Sequence, residues 1–467
     1  QRLQVALGNY LTSVDEVENW QAYAGTASPI NFNGLVRQYY LRSLPNQGDI
    51  QVNLKSKEQR ERSSHEIARA IRADLVAIAE PFDAAIKVVE VPPGPPVLAP
   101  IVAEIHGGNG QQQIELAETI LAKMAEVNGL VDEDSTLTDK VERWFLTVDR
   151  QRAAQLGISQ SQVTQALSLL INAQPAGYLH KDTAKYAVPI LVQLDDGDKA
   201  QQQRILSLQV RAQNGAMIPL STFASIQTDQ WPRSRYHKDL NPVTYVEANM
   251  AGETDSPIYG MFELVSLIDE LDNPPEQFYI NQPSANGPVA IKWDGEWQIT
   301  YETFRDMGIA YSVGIFMIFV LLVAQFRSYL MPLIIMSPIP LTLVGILPGH
   351  WLIGKEFTAT SMIGMIALAG IIVRNSILLV VFIRQLIDEG YSLEDAVVLA
   401  GAVRLKPIAL TAVSAMIGAY FILADPIFNG LAISLIFGLL ASTLLTVLVV
   451  PLLYYGLYNY LADSKRT

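Results

Sequence analysis

The sequence contains no cysteine in 467 residues. Disulfides, thiolate metal sites and cysteine nucleophiles are thereby excluded together. Basic clusters are also missing, and the net charge is −13. An acidic chain of this kind is no partner for nucleic acid, which needs grouped lysines and arginines. Gln1–Asn19 lacks the basic start, apolar core and small-residue cleavage pattern of a signal peptide. Gly107-Gly108-Asn109-Gly110 is glycine-rich but has neither the lysine nor the spacing of a phosphate loop. No Ser/His/Asp set or paired-acid motif stands out, and His65, His106, His180 and His237 do not cluster as metal ligands. Neither an enzyme nor an ATP-driven machine can be assembled from these parts, and no cofactor or metal is expected.

Charge itself becomes scarce after residue 306. From Met307 onward there are eight Lys/Arg and seven Asp/Glu, so the acidic excess lies in residues 1–306. Apolar runs at about 307–326, 330–353, 360–384, 407–424 and 427–458 are near or above the ~20 residues that a bilayer requires. Turn signals separate them at Arg327-Ser328, Gly354-Lys355-Glu356, the polar stretch 385–406 and Asp425-Pro426. Five transmembrane helices in a lipid bilayer are therefore predicted, filling a transmembrane domain over 296–467.

Basic residues choose the sides. Arg327, Arg384, Arg404, Lys406, Lys465 and Arg466 fall on one face, taken as the cytoplasm, while the opposite loops hold only Lys355. Residues 1–305 then lie outside the cytoplasm, and the C-terminus lies inside. A region of that size needs an export signal. The expectation is that a preceding helix stands outside this sequence, making the chain a fragment or one product of a split gene.

Residues 33–42 and 49–55 read as strands, 57–82 as a helix, and 84–91 as a returning strand. Pro92-Pro93-Gly94-Pro95-Pro96 is a stiff connector. The pattern recurs with strands at 101–106, 144–149 and 243–250 and helices at 111–127 and 256–271. Two α+β units of split βαβ type, the second interrupted at about 151–229, suit ferredoxin-like sandwiches with an insertion. One irregular α/β domain is the alternative that the pattern leaves open.

Three stretches carry a resemblance. Thr147–Ser159 (TVDRQRAAQLGIS), followed by the helical run 162–170, is similar to the strand-to-helix entry into the docking subdomain of resistance-nodulation-division (RND) efflux transporters. Gly215–Ala224 (GAMIPLSTFA) is similar to that subdomain's exit. Gly370–Val380 (GIIVRNSILLV) resembles the family's tenth transmembrane helix, and Val403–Thr411 (VRLKPIALT) the start of its eleventh. The order is consistent from near Gln1 to the end.

The resemblance implies an α+β periplasmic porter region joined to a helical transmembrane bundle. Residues 1–96 would be one porter subdomain with a truncated start, 97–150 and 230–295 a second, and 151–229 the docking insertion. It implies a multi-pass protein of the bacterial inner membrane, a homotrimer working with a periplasmic adaptor and an outer-membrane channel. The activity implied is secondary active transport by proton antiport, not catalysis.

Arg374 lies midway along the third apolar run. A central arginine costs ~2.5–3.5 kcal/mol on insertion scales, so it must face the bundle interior and an anion. No Asp or Glu occurs inside any of the five runs; Asp306, Glu356 and Asp425 stand at their outer boundary. In the resembled family the partner is a pair of aspartates on the fourth helix, in the N-terminal half missing here. Arg374 is thus expected to be the counter-ion of the proton relay, with Asn375, Thr411 and Arg404 as neighbours. For Thr411 a bond to its own helix carbonyl is the plainer reading, and for Arg404 a cytoplasmic anchor. His350 is expected at the outer interface. The family often places an acid where this chain has Val381, so any contact made by that acid is lost.

Metal-exporting members would want soft ligands, yet there is no methionine before Met124. Hydrophobic or amphiphilic organic substrates are favoured, passing aromatic side chains such as Trp20, Tyr23, Phe32, Tyr39, Tyr40 and Phe82. A protein-secretion helper, a ligand-binding membrane sensor and an inactive remnant remain as alternatives. The docking-like insertion favours the pump.

Overall fold

The computed structural model describes residues 1–91, 97–138, 141–182, 187–252, 256–425 and 427–464, with side chains to 459. The proline connector 92–96, Pro426, Lys465 and Arg466 lie outside the described residues. Two compact units result, 1–135 with 237–467, and 136–236.

The first unit starts with α1 (Arg2–Thr12), β1 (Val17–Ala24), β2 (Gly48–Leu54) and α2 (Ser64–Ala79). β1 and β2 pair antiparallel. Leu7 and Leu11 of α1 meet Ile67, Ile71 and Leu75 of α2 in one core, at the 3–4 residue spacing of an apolar helix stripe. Ser63 and Glu66 close a reciprocal capping box on α2.

Two expected strands are absent. Residues 33–42 instead form a helical turn, Phe32–Val36, whose first amides are capped by Asn31, and a 3₁₀ turn, Tyr39–Leu41. Asn31 Oδ1 accepts from Gly34 N at 2.7 Å, and a local side-chain bond of this type competes with a strand ladder. Residues 84–91 are irregular chain. They are fixed by side chains instead, Lys87 being bridged to Asp134 and Glu247.

A sheet follows, from β3 (Ile101–His106), α3 (Gly110–Met124) and β4 (Leu130–Ser135). The chain then leaves for the second unit. There β5 (Glu142–Val148), α4 (Gln160–Ile171) and β8 (Ala224–Gln230) contribute to a small core at Val163, Leu220 and Phe223, while β6 (Gln174–Leu179) pairs antiparallel with the exposed β7 (Val188–Val192). β8 pairs antiparallel with β5. β9 (Tyr236–Lys238), β10 (Asn241–Met250), α5 (Pro257–Asp269), β11 (Glu276–Phe278) and β12 (Ala290–Gly295) complete the sheet. Its order is β9-β10-β3-β12-β11, with β4 beside β10. β4-β10-β3-β12, with α3 and α5 as crossovers, is the ferredoxin-like arrangement.

All six residues of β3 are buried, on both faces. Ile101, Ala103 and Ile105 share one face with Trp293, Ile291 and Val246 by strand register. The other face is charged. Glu104 and His106 are each 1 % exposed, with His106 Nε2 3.1 Å from Glu104. Lys238 bonds Glu104 and Asp294, the latter at 2.6 Å. Burial pushes the Asp294 carboxyl up, but hydrogen bonds with Glu104 and Lys238 and the nearby Lys292 charge outweigh it and hold it at about 2. Burial likewise pushes Lys238 down, and its bonds to the two acids raise it overall.

The signs follow. A depressed carboxyl stabilises above its unfolded value of 3.8 and loses that contribution as pH falls toward the folded value; the raised lysine contributes fully below its ordinary range and loses its share only at strongly basic pH. Asp294→Asn should cost about 1–2 kcal/mol near neutral pH. Thermal melts of the full chain should show the mutant's deficit shrinking between about pH 4 and pH 2.

Five helices long and apolar enough to cross a membrane follow: α6 (Glu296–Phe326), α7 (Leu330–Ile353), α8 (Ala359–Asp388), α9 (Leu393–Tyr420) and α10 (Asn429–Ser464). α7 is interrupted at Ser337 and Thr342, around Pro338 and Pro340. The stretch 385–406 is not a polar loop, since α8 runs to Asp388 and α9 starts at Leu393. Ser392 caps α9 by accepting from Asp395 N at 3.1 Å, so charged residues at 394–406 become helix. The first span likewise begins earlier than expected, directly from β12.

α10 is the hub, and glycines let its neighbours approach. A Cβ on Gly345 of α7 would stand 2.4 Å from the Phe437 carbonyl and 2.5 Å from Ala441 Cβ. That backbone cannot yield as a side-chain tip could. Gly345→Val should destabilise the chain by about 1–3 kcal/mol, the usual cost of overpacking, read as a lower melting temperature in detergent.

Candidate functional site

α8 carries a strict division of faces. Leu368, Ile372, Leu379 and Val380 are buried in the helical core. Residues 363, 367, 370, 374, 378, 381 and 385 are exposed, a 3–4 spacing that defines one stripe. Arg374 is at the middle of this stripe and of the helix. Among the described residues no hydrogen bond or ion pair reaches it. The acids on α8 and α9 stand at helix ends, Asp388, Glu394 and Asp395. Above Arg374 the stripe narrows to Ala367 and Gly370, and Gly370 has open space around it. Val381, two turns on, is 43 % exposed and leaves the stripe uncharged there.

Asn375 and Ser376 point the other way, at 8 % and 0 % exposure. Ser376 Oγ is buried with no partner among the described residues. Sequence reasoning passed over this serine, although helical phase alone places it with Ile372 and Leu379 on the packed face. Thr411 donates to its own helix at Ile408 O, 2.9 Å away. Arg404 sits on α9 with its guanidinium 4.7 Å from the Phe382 ring centre of α8; its Nε is buried and unpaired. α8 and α9 run antiparallel. Seven residues back from Phe382 and seven on from Arg404 bring Asn375 and Thr411 to one depth, about 10 Å from the Arg404 level. Among the described residues no direct bond joins Arg374, Thr411 and Arg404. His350 is buried near the C-terminal end of α7. It is 4 % exposed, 3.2 Å from Lys355 O and 3.5 Å from Ser434 Oγ.

A concave region of about 630 Å³ lies elsewhere in the bundle, between Tyr311 and Phe319 of α6 and Met336 and Pro340 of α7. It has no ionisable lining apart from the tyrosine, so charge chemistry within the membrane concentrates on α8 and α9.

An α+β region followed by five apolar helices, with a cation at the centre of one, is the make-up of a multi-pass membrane protein. The chain belongs to the AcrB/AcrD/AcrF family of RND efflux permeases, which it matches over residues 1–458. It is 27 % identical over 372 residues to the swarming motility protein SwrC of Bacillus subtilis, covering 78 % of this chain and 34 % of SwrC. It is 25 % identical over 382 residues to the cobalt-zinc-cadmium resistance protein CzcA of Cupriavidus metallidurans, covering 79 % of this chain and 34 % of that protein. Multidrug resistance protein MdtC of Pectobacterium carotovorum aligns over the whole chain and 43 % of its own length at 24 % identity. The crystal structure of a heavy metal efflux pump matches 97 % of the chain and 45 % of the pump, at TM-score 0.75 and 19 % identity. That likeness concerns the fold. The chain thus spans between a third and a half of the length of these proteins.

Proposed function

We propose that this chain forms the C-terminal half of a proton-driven inner-membrane pump that exports hydrophobic or amphiphilic compounds. The observation that carries the reading is the exposed stripe of α8, with Arg374 at its centre and no ion pair to it among the described residues. On this reading the acid pair belongs to a helix outside this sequence. Proton uptake by that pair weakens its hold on Arg374 and lets the helices shift. Thr411, Asn375 and Arg404 serve as neighbours. Residues 1–305 lie in the periplasm and the C-terminus in the cytoplasm, as the basic residues of the loops favour. The compact unit 136–236 supports a docking insertion placed between the halves of the second porter subdomain. Trimer, adaptor and outer-membrane channel belong to the same proposal. The lack of cysteine and of any methionine before Met124 favours organic substrates over metal ions that want soft ligands.

The test is efflux by the complete pump in proteoliposomes under an imposed pH gradient. Export of a neutral or charged amphiphile should collapse when the gradient is dissipated, with cobalt and zinc ions failing to compete. Efflux indifferent to the gradient, or competition by those ions, would sink the proposal.

A further inference from the structure

Lys57 opens a 3₁₀ turn, Lys57–Gln59, between β2 and α2. The turn is fixed on its own side. Lys55 N donates to Glu16 O at 2.8 Å and Arg60 Nε to Lys55 O at 3.1 Å. Arg62 clasps the Glu16 carboxylate through two nitrogens, at 2.6 and 2.8 Å. Lys57 alone of these side chains reaches the helical bundle, where its Nζ donates to Ala424 O at 3.2 Å. Ala424 stands in the connection between α9 and α10. Asp425 holds that connection, its Oδ1 accepting from Ile427 N at 2.8 Å and Phe428 N at 2.9 Å. The Phe428 and Ile427 amides keep its carboxyl below the usual range, with desolvation opposing and the Lys57 charge adding to them.

The same connection is tied to α8. Thr360 Oγ1, in the first turn of α8, donates to Ile427 O at 3.0 Å. A Cβ on Gly430 of α10 would stand 2.4 Å from Ser361 Oγ and 2.6 Å from Thr358 Oγ1, so the start of α10 lies directly on the start of α8. From Thr360 to Arg374 α8 is continuous helix, about 21 Å of it. It has no proline to hinge it. The bond of Lys57 is exposed, so folding gains little from it; what it supplies is placement.

We infer that Lys57 is a positioning residue, the strut through which a shift of the Arg374 helix reaches the body formed by α1, β1, β2 and α2. The route runs from α8 through Thr360 to the α9–α10 connection, and from there to Lys57. This deepens the reading of Arg374 as the proton-sensitive cation and rests on it.

The experiment has two readouts, both helped by the chain's lack of cysteine. Spin labels on Ala73→Cys of α2 and Glu356→Cys before α8, both exposed positions, report the distance across the strut by double electron–electron resonance on the full chain in lipid nanodiscs. Lys57→Ala should broaden the distance distribution, whereas Gln59→Ala on the same turn should not. In the complete pump Lys57→Ala should lower export about three- to thirtyfold at an unchanged melting temperature. In Lys57→Cys/Ala424→Cys a reducible, propane-spaced bis-methanethiosulfonate should restore most of the rate, and its reduction should remove it again. Equal distribution widths with and without Lys57 overturn the inference. So does export that ignores reduction of the linker, or a loss of export matched by a loss of folded protein. Wild-type export indifferent to the pH gradient would instead fail the reading of Arg374, with the distribution width still deciding the strut.

Discussion

Arg374→Ala in the complete pump should abolish proton-driven export while leaving the amount of folded protein nearly unchanged. The two halves of that expectation come from different observations. Folding is spared because, among the described residues, no hydrogen bond or ion pair reaches the guanidinium and the neighbouring stripe positions are exposed. Transport is lost because carboxylates facing a vacant site would no longer sense a cation when they lose their proton. Their affinity for protons would rise and their release would fail. A fall of about 100-fold or more in export rate corresponds to roughly 3 kcal/mol, the scale of one buried charge pair. Arg374→Lys should keep a substantial part of the rate, since an ammonium still supplies the charge, though without the bidentate fork. Export rate and membrane-inserted protein should be measured on the same vesicles. Loss of protein with the rate per molecule preserved would assign Arg374 a structural role and remove it from the relay.

The membrane part was legible because its signal is collective. Some twenty apolar residues in a row outweigh any local preference, and a central arginine stands out against them. Helix ends were less legible. The stretch 385–406 looks polar, but Ser392 caps a helix that simply continues with charged residues outside the apolar window. The second porter sheet could be read from alternating runs such as Val243–Met250. The segment 33–42 could not, because Val36, Tyr39, Tyr40 and Leu41 favour strand by composition while Asn31 decides the local structure with a single hydrogen bond. Nor could the charged face of β3 be foreseen. Glu104 and His106 look solvent-facing in sequence, and only their pairing with Lys238 and Gln282 explains how they stay buried. Within the membrane, helical phase was enough to separate Arg374 from Ser376. What faces Arg374 is a matter of tertiary partners, on which one chain's periodicity is silent.

Gly295→Val should be the most damaging single substitution in the sheet. Gly295 is the last residue of β12 and the one before α6, the helix that carries the porter sheet into the membrane. Its φ of 77° and ψ of −138° fall where only glycine is comfortable. A Cβ there would stand 2.6 Å from the Pro100 carbonyl oxygen and 2.7 Å from that of Ala99. Both clashes are with backbone that is itself pinned, because Glu296 N donates to Pro100 O at 3.0 Å and Gly295 is in register with Ile101. Strain and overlap together should exceed about 3 kcal/mol, seen as a fall in melting temperature. Relief by shifting the strand end would tilt α6 relative to the sheet, so in the complete pump export should fall further than stability alone explains. Gly314→Ala on the same helix, where a Cβ meets nothing within 4 Å, should be neutral or slightly stabilising. If Gly295→Val melts and pumps like Gly314→Ala, the strand-to-helix junction is not the rigid link between porter sheet and membrane helix that its geometry makes it.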